Sequence, residues 1–298
     1  MMIQKAILHI LDFNTNMCIL SQKELDFSSD IVYEYVDKRI SRILTDASQQ
    51  TGAFYATSQY QVLLQQFLSE DISFADFAAQ TARSLFDILA HCDVQESLDL
   101  LVVDFQDEED KRQIGILLLN NKTAYTHQIM DEDGAVYNKL IKHHAILPST
   151  SQKVEAYALI QCQDYTIRFV DTKRQMNGED VYILPDRLLQ CTAVISAKDA
   201  VKLVSKIAVK VAEDHGNSTV EALSKAKNYL AENAETADTF SPQELGADIF
   251  AHSQTMQQEF KEQLQEAKLP DDVAIQKEFA RRTGRSHKIK TDTGIEIT

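Results

Sequence analysis

Residues 165–186 read Tyr165-Thr166-Ile167-Arg168-Phe169-Val170-Asp171-Thr172-Lys173-Arg174-Gln175-Met176-Asn177-Gly178-Glu179-Asp180-Val181-Tyr182-Ile183-Leu184-Pro185-Asp186, an alternating strand joined through a charged turn to a second strand. Asn177-Gly178 is its sharpest turn signal, because Gly, and to a lesser degree Asn, tolerates the positive φ of tight hairpins. The neighbouring sequence repeats the pattern. Residues 98–105, 113–119, 123–129, 154–161, 166–171 and 180–184 are short β-rich runs, separated by polar or Gly-bearing breaks such as 106–112 and Asp131-Glu132-Asp133-Gly134. Spacing this close predicts antiparallel hairpins, since a parallel pair needs a crossover of about a dozen residues or more.

Outward from this middle third the period changes. Residues 3–11 alternate as Ile3, Lys5, Ile7, His9, Leu11 against Gln4, Ala6, Leu8, Ile10, which suits a strand covered on both sides. Ser28-Ser29-Asp30 offers caps for a helix whose buried face holds Ile31, Val32, Tyr35, Val36, Ile40, Ile43 and Leu44. Residues 62–68 and 74–89 follow the same logic, the second with Phe74, Phe77, Ala78, Leu85, Ile88 and Leu89 inward. From 196 on the spacing is helical: Ala200, Leu203, Val204, Ile207, Ala208 and Val211 form a stripe, and Gly216-Asn217 closes the helix. Residues 220–230 and 250–264 read as further helices, joined by a polar linker at 231–242. The expectation is an α+β protein: an antiparallel sheet with helices in residues 1–195, then a mainly helical region, 196–298, ending in a basic segment.

At 298 residues, 44% hydrophobic and 25% charged, the chain has the usage of a folded globular protein with one large domain or two ordinary ones. No apolar run approaches the ~20 residues that cross a bilayer, so a cytoplasmic protein without membrane contact is expected. Cys18, Cys92, Cys162 and Cys191 are scattered without a Cys-x-x-Cys pair, so no zinc ribbon or thioredoxin-type site is encoded and the thiols are expected to stay reduced. Eight glycines form no phosphate-cradling loop, no Gly-x-Gly-x-x-Gly and no Gly-x-Ser-x-Gly, which argues against nucleotide hydrolysis and dinucleotide chemistry and predicts no cofactor.

The formal charge of −15 repels a phosphate backbone unless cations are gathered locally. They are gathered at one place: Lys277, Arg281, Arg282, Arg285, Lys288 and Lys290 are opposed only by Glu278, with no aromatic residue between Phe279 and the end. That composition suits phosphate contact by charge rather than base stacking. Lys202, Lys206 and Lys210 add a helical ridge, although lysines so spaced are usually just solvated. Asp171-x-Lys173 after an apolar strand is half of a metal-dependent nuclease signature, for which Asp104 or Asp164 would have to supply a second carboxylate. A strand end running into a charged turn explains the same residues. His143-His144 next to Lys142 cannot easily bind one ion together, because neighbouring side chains diverge on a strand or a helix, and no metal site is assigned.

The wording Asp-Thr-Lys-Arg-Gln-Met-Asn-Gly-Glu-Asp at 171–180, with Ile-Leu-Leu-Leu-Asn-Asn-Lys-Thr-Ala-Tyr-Thr-His at 116–127 and Ile-Gln-Lys-Ala-Ile-Leu-His-Ile-Leu at 3–11, resembles the bacterial nucleoid-associated NdpA-type family, most densely from 101 to 204. The resemblance implies a protein of the nucleoid, with DNA or chromosome-associated proteins as partners, and says little about chemistry. The leading expectation is a non-enzymatic protein that binds DNA through its basic segment or docks on chromosome-bound proteins. The competing one is a metal-dependent nuclease or phosphodiesterase built on Asp171, Lys173 and Asp104. The apolar faces at 200–211 and 250–264 also permit a homo-oligomer. Thr293-Gly294-Ile295-Glu296-Ile297-Thr298 alternates like a strand just begun, and members of the resembled family tend to be longer, so the native chain is expected to continue past Thr298.

Overall fold

Alternation at residues 3–11 and across the middle third becomes a seven-stranded sheet. The structure, a computed structural model, describes residues 1–93, 97–237, 239–267, 269, 271–274, 289–290 and 296–297. The chain divides into two compact units, one of Met1–Asp46 and Thr51–Val194, the other of Ala47–Gln50 and Ile195–Thr298.

In the first unit, β1 (Met2–Asp12), β2 (Met17–Ile19), β3 (Gln50–Gly52), β4 (Leu98–Gln106), β5 (Arg112–Asn120), β8 (Ala156–Gln161) and β9 (Ile167–Val170) order as β2-β1-β4-β5-β8-β9-β3. Neighbours from β2 to β9 are all antiparallel. Two further strands, β6 (Lys122–Glu132) and β7 (Ala135–Ile146), pair only with each other. Helices α2 (Gln59–Leu68) and α3 (Phe74–Leu89) bring Leu64, Phe67, Phe74, Phe77 and Leu85 onto one side of the sheet, against Ile7, Leu100, Val102, Ile114, Ile116, Ile160 and Phe169. Helix α1 (Asp30–Leu44) covers the other side with Val36, Ile40 and Ile43, against Ala6, Leu101, Val103, Leu117, Tyr157 and Leu159. Burial of both faces explains why β4, β5 and β8 read as near-continuous apolar runs, broken in β4 by Asp99 and Asp104. Ser58 and Ser73 accept the Gln61 and Asp76 N–H groups and so cap α2 and α3.

In the second unit, α4 (Ala197–Asp214), α5 (Thr219–Thr236), α6 (Pro242–Ile249) and α7 (Gln254–Glu266) pack around Ala200, Val204, Ala208, Val211, Ala226, Leu230, Leu245 and Phe260. The helix expected over 250–264 is present as α7, beginning after a turn at 250–253 where Ser253 accepts the Met256 N–H; the separate helix α6 before that turn was not expected. The expected linker over 231–242 is corrected. It holds the last turns of α5, the short β12 (Thr239–Phe240) and the Ser241-Pro242 start of α6, where Ser241 caps and Pro242 takes a first-turn place needing no N–H donor.

Gly246 lets α6 and α7 approach. A Cβ there would lie 2.2 Å from Phe260 Cδ1 and 2.5 Å from its Cε1, and that ring is only 1% exposed. Gly246→Ala is therefore expected to cost about 1–3 kcal/mol through displacement of the ring, outweighing the gain of about 1 kcal/mol in helix propensity. Thermal denaturation of the full chain checks this, and an unchanged or raised Tm would show that the contact is not tight.

Candidate functional site

Asp171 begins where β9 ends. Strand β9 pairs with β8, not with the downstream run, so the reading of 165–186 as a two-strand unit is corrected: a sheet strand is followed by a separate hairpin. That hairpin is β10 (Lys173–Met176) and β11 (Glu179–Tyr182), closed by Asn177 at φ 54 and Gly178 at φ 80. Both positive φ values fit a two-residue turn of the kind that follows strand twist. The expected strand at 180–184 stops at Tyr182, and the chain enters a wide helical turn, Ile183–Leu189.

The Asp171 carboxylate fastens this corner, accepting the Leu184 N–H at 2.7 Å and the Thr172 N–H at 2.8 Å. Burial pushes its pKa up to about 6, with those N–H groups pulling in the opposite direction. Ionisation is thus disfavoured in the folded chain: the penalty is absent below the ordinary carboxylate value of 3.8 and complete above about 6. Asp171→Asn removes a penalty that exists only at the higher pH. It is expected to shift stability more favourably at pH 7 than at pH 4, by up to about 3 kcal/mol at ~1.4 kcal/mol per pKa unit. Denaturation of both proteins at the two pH values checks this, and equal shifts would contradict it.

The structure does not bring the nuclease candidates together. Lys173 Nζ lies 3.6 Å from Asp180 Oδ2 and over the Tyr182 ring. Asp104 is held by a two-pronged Arg112 at 3.0 and 2.7 Å. Along the sheet, Asp104 aligns with Ile114, Ile160 and Ile167. Three strand spacings of ~4.8 Å and four residues of ~3.3 Å then separate Asp104 from Asp171, about 19 Å in all. Asp164 sits at the opposite end of β9 from Asp171, its Oδ1 accepting the Thr166 N–H. Among the described residues, no group of three His, Cys, Asp or Glu side chains could hold a metal. His143 Nε2 lies 2.9 Å from the Thr126 hydroxyl, a cross-strand bond that accounts for it structurally.

Of the basic segment, Lys277, Arg281, Arg282, Arg285 and Lys288 lie outside the described residues. Lys290 belongs to β14 (Ile289–Lys290), which pairs antiparallel with β15 (Glu296–Ile297). Lys202, Lys206 and Lys210 do form an exposed row on α4, with Lys202 lying 3.6 Å from Asp199. Elsewhere, several cations sit beside acids: Lys5 with Glu24, Lys38 with Glu34, Lys111 with Glu109, Lys153 with Asp46 and Lys225 with Glu221. Exposed pairs of this kind add little stability, but each lowers the positive potential available to a polyanion.

The feature that sequence reading missed is the second strand of the β6–β7 ribbon, the first having been read at 123–129. Residues 135–146 form a strand aligned with β6 in an unbroken register from Ala124↔His143 to Glu132↔Ala135. Asp133 at φ 53 and Gly134 at φ 83 make its two-residue turn. The strand's alternation, Val136, Asn138, Leu140, Lys142 against Tyr137, Lys139, Ile141, His143, was visible in the sequence. So was the Asp-Gly turn. Beyond each other the two strands touch the rest of the first unit only sparsely. One face carries the Thr126–His143 bond and a hydrogen bond from Tyr137 to Glu132. The other carries Tyr125, Ile129, Val136 and Leu140, which are 64%, 68%, 70% and 72% exposed.

Compared with known proteins, residues 7–298 match the family described as nucleoid-associated protein YejK. No curated protein matches the chain.

Proposed function

The chain belongs to the nucleoid-associated protein YejK family, and we propose that it acts on the nucleoid without covalent chemistry, gripping the DNA backbone through Lys277, Arg281, Arg282, Arg285, Lys288 and Lys290. The observation that carries this reading is the segregation of charge. Six cations against Glu278 give residues 277–290 a formal +5, so the rest of the chain carries −20 behind a total of −15. An acidic body, several of whose lysines pair with neighbouring carboxylates, is a poor phosphate ligand, which favours the basic segment as the source of affinity. The same body offers basic, chromosome-bound proteins a complementary surface, since opposed charge speeds encounter.

Affinity capture separates the two contacts. With the full chain as bait, duplex DNA of mixed sequence is expected to be retained at low salt in the absence of any other protein. Chromosome-bound proteins that remain after nuclease treatment of a bacterial lysate are expected to be those of basic charge. Failure of the purified chain to retain DNA at low salt would remove direct contact and leave docking as the route to the nucleoid.

A further inference from the structure

A two-stranded ribbon is marginal in water when it stands alone, and contiguous exposed apolar side chains mark a surface that meets something. In the β6–β7 ribbon the four most exposed, Tyr125, Ile129, Val136 and Leu140, are sorted to one side, with Tyr137, 41% exposed, on the other. The register places Tyr125 with Lys142, His127 with Leu140, Ile129 with Asn138 and Asp131 with Val136 in four successive rows of that face, because opposed residues of an antiparallel pair point the same way. One end row holds a cation, Lys142, and the other an anion, Asp131, with apolar side chains in every row.

We propose that this face is the contact between two copies of the chain, their ribbons lying face to face and antiparallel about a two-fold axis. The charge pattern selects this occupant. Under such an axis the Asp131–Val136 row of one copy meets the Tyr125–Lys142 row of the other, at both ends of the contact, so each acid lies beside a base. The two central rows meet each other and cover Ile129 and Leu140. Parallel stacking would instead oppose like charges at both ends. An isologous contact requires self-complementarity of this kind. The ribbon as a whole is balanced, with Lys122, Lys139 and Lys142 against Asp131, Glu132 and Asp133, and so has no net charge with which to seek a polyanion. Asp131 spends one oxygen on the Gly134 N–H in the turn and keeps the second for a partner.

The test is the mass of the full chain in solution by sedimentation or light scattering. Wild-type protein is expected at twice the 33.7 kDa chain mass, and Ile129→Asn/Leu140→Asn at the chain mass with unchanged circular dichroism, since both side chains are exposed within the protomer. Asp131→Lys and Lys142→Asp are each expected to weaken the dimer, and the doubly exchanged variant to restore it. The restoration is specific to this geometry and does not depend on the apolar variant folding. A monomeric wild type, including one that instead takes up a different protein on this face, would overturn the proposal. So would a dimer that survives Ile129→Asn/Leu140→Asn, or an exchanged variant no stronger than the single ones.

Discussion

Full-length protein carrying Arg281→Ala, Arg282→Ala and Arg285→Ala is expected to bind duplex DNA about 10³-fold more weakly than wild type at ~50 mM salt. The magnitude comes from counterion release. A cation that neutralises one phosphate of B-DNA frees ~0.9 of a counterion, so at ~0.05 M salt each contact contributes a little over one decade of affinity. Three contacts make about three decades. The acidic remainder of the chain supplies no compensating grip. Lys202→Ala/Lys206→Ala/Lys210→Ala removes the same formal charge from an exposed row beside Asp199, and it is expected to weaken binding by less than about tenfold. Fluorescence anisotropy with a labelled duplex reads both variants. If the arginine variant binds within about twofold of wild type, the contact lies elsewhere.

Arg39→Ala is expected to destabilise the first unit by about 3–5 kcal/mol, a drop in Tm on the order of 10 °C at ~2–4 °C per kcal/mol. Arg39 is fully buried on α1. Its Nη1 donates to the Gln152 carbonyl at 2.7 Å and its Nη2 to the Pro148 carbonyl. The guanidinium also donates to the Tyr35 hydroxyl at 3.3 and 3.2 Å, and that hydroxyl in turn donates to the Pro148 carbonyl at 3.0 Å. One side chain thus satisfies the loop that leads from the ribbon back into β8. Truncation strands buried acceptors at about 1–3 kcal/mol each and leaves a cavity. Arg39→Lys keeps the charge without the planar fork and is expected to recover only part of the loss. A Tm within about 2 °C of wild type for Arg39→Ala would show that the loop is held by other means.

Much of this fold was written in local patterns. Alternation at 3–11, β-rich runs such as 98–105 with close turns between them, and helical spacing at 31–44 and 200–211 predicted an α+β chain with an antiparallel sheet and a helical carboxy-terminal region, and the structure has that architecture. What escaped was set by longer-range facts. The pairing of β9 with β8 instead of the run after Asn177-Gly178 depends on sheet order, which a single sequence does not encode at short range. Helix α6 escaped because its Ser241-Pro242 start ends a polar stretch that reads as a linker. Asp171 and Lys173 resembled catalytic residues because carboxylate and amine stood two positions apart, yet burial directed one to backbone N–H groups and the turn directed the other to Asp180. The ribbon's second strand was overlooked because its apolar residues, spaced by twos among lysines and histidines, imitate an ordinary polar loop.

The measurement that tests the account most directly is the slope of log K against log salt for the full chain binding a duplex of mixed sequence. Six cations acting on six phosphates predict a slope of about −5, equivalent to roughly a 10³-fold loss of affinity between ~50 and ~200 mM salt. A shallow slope, near −1 or flatter, would mean that the basic segment does not carry the contact, and that this acidic protein reaches the nucleoid through its partners.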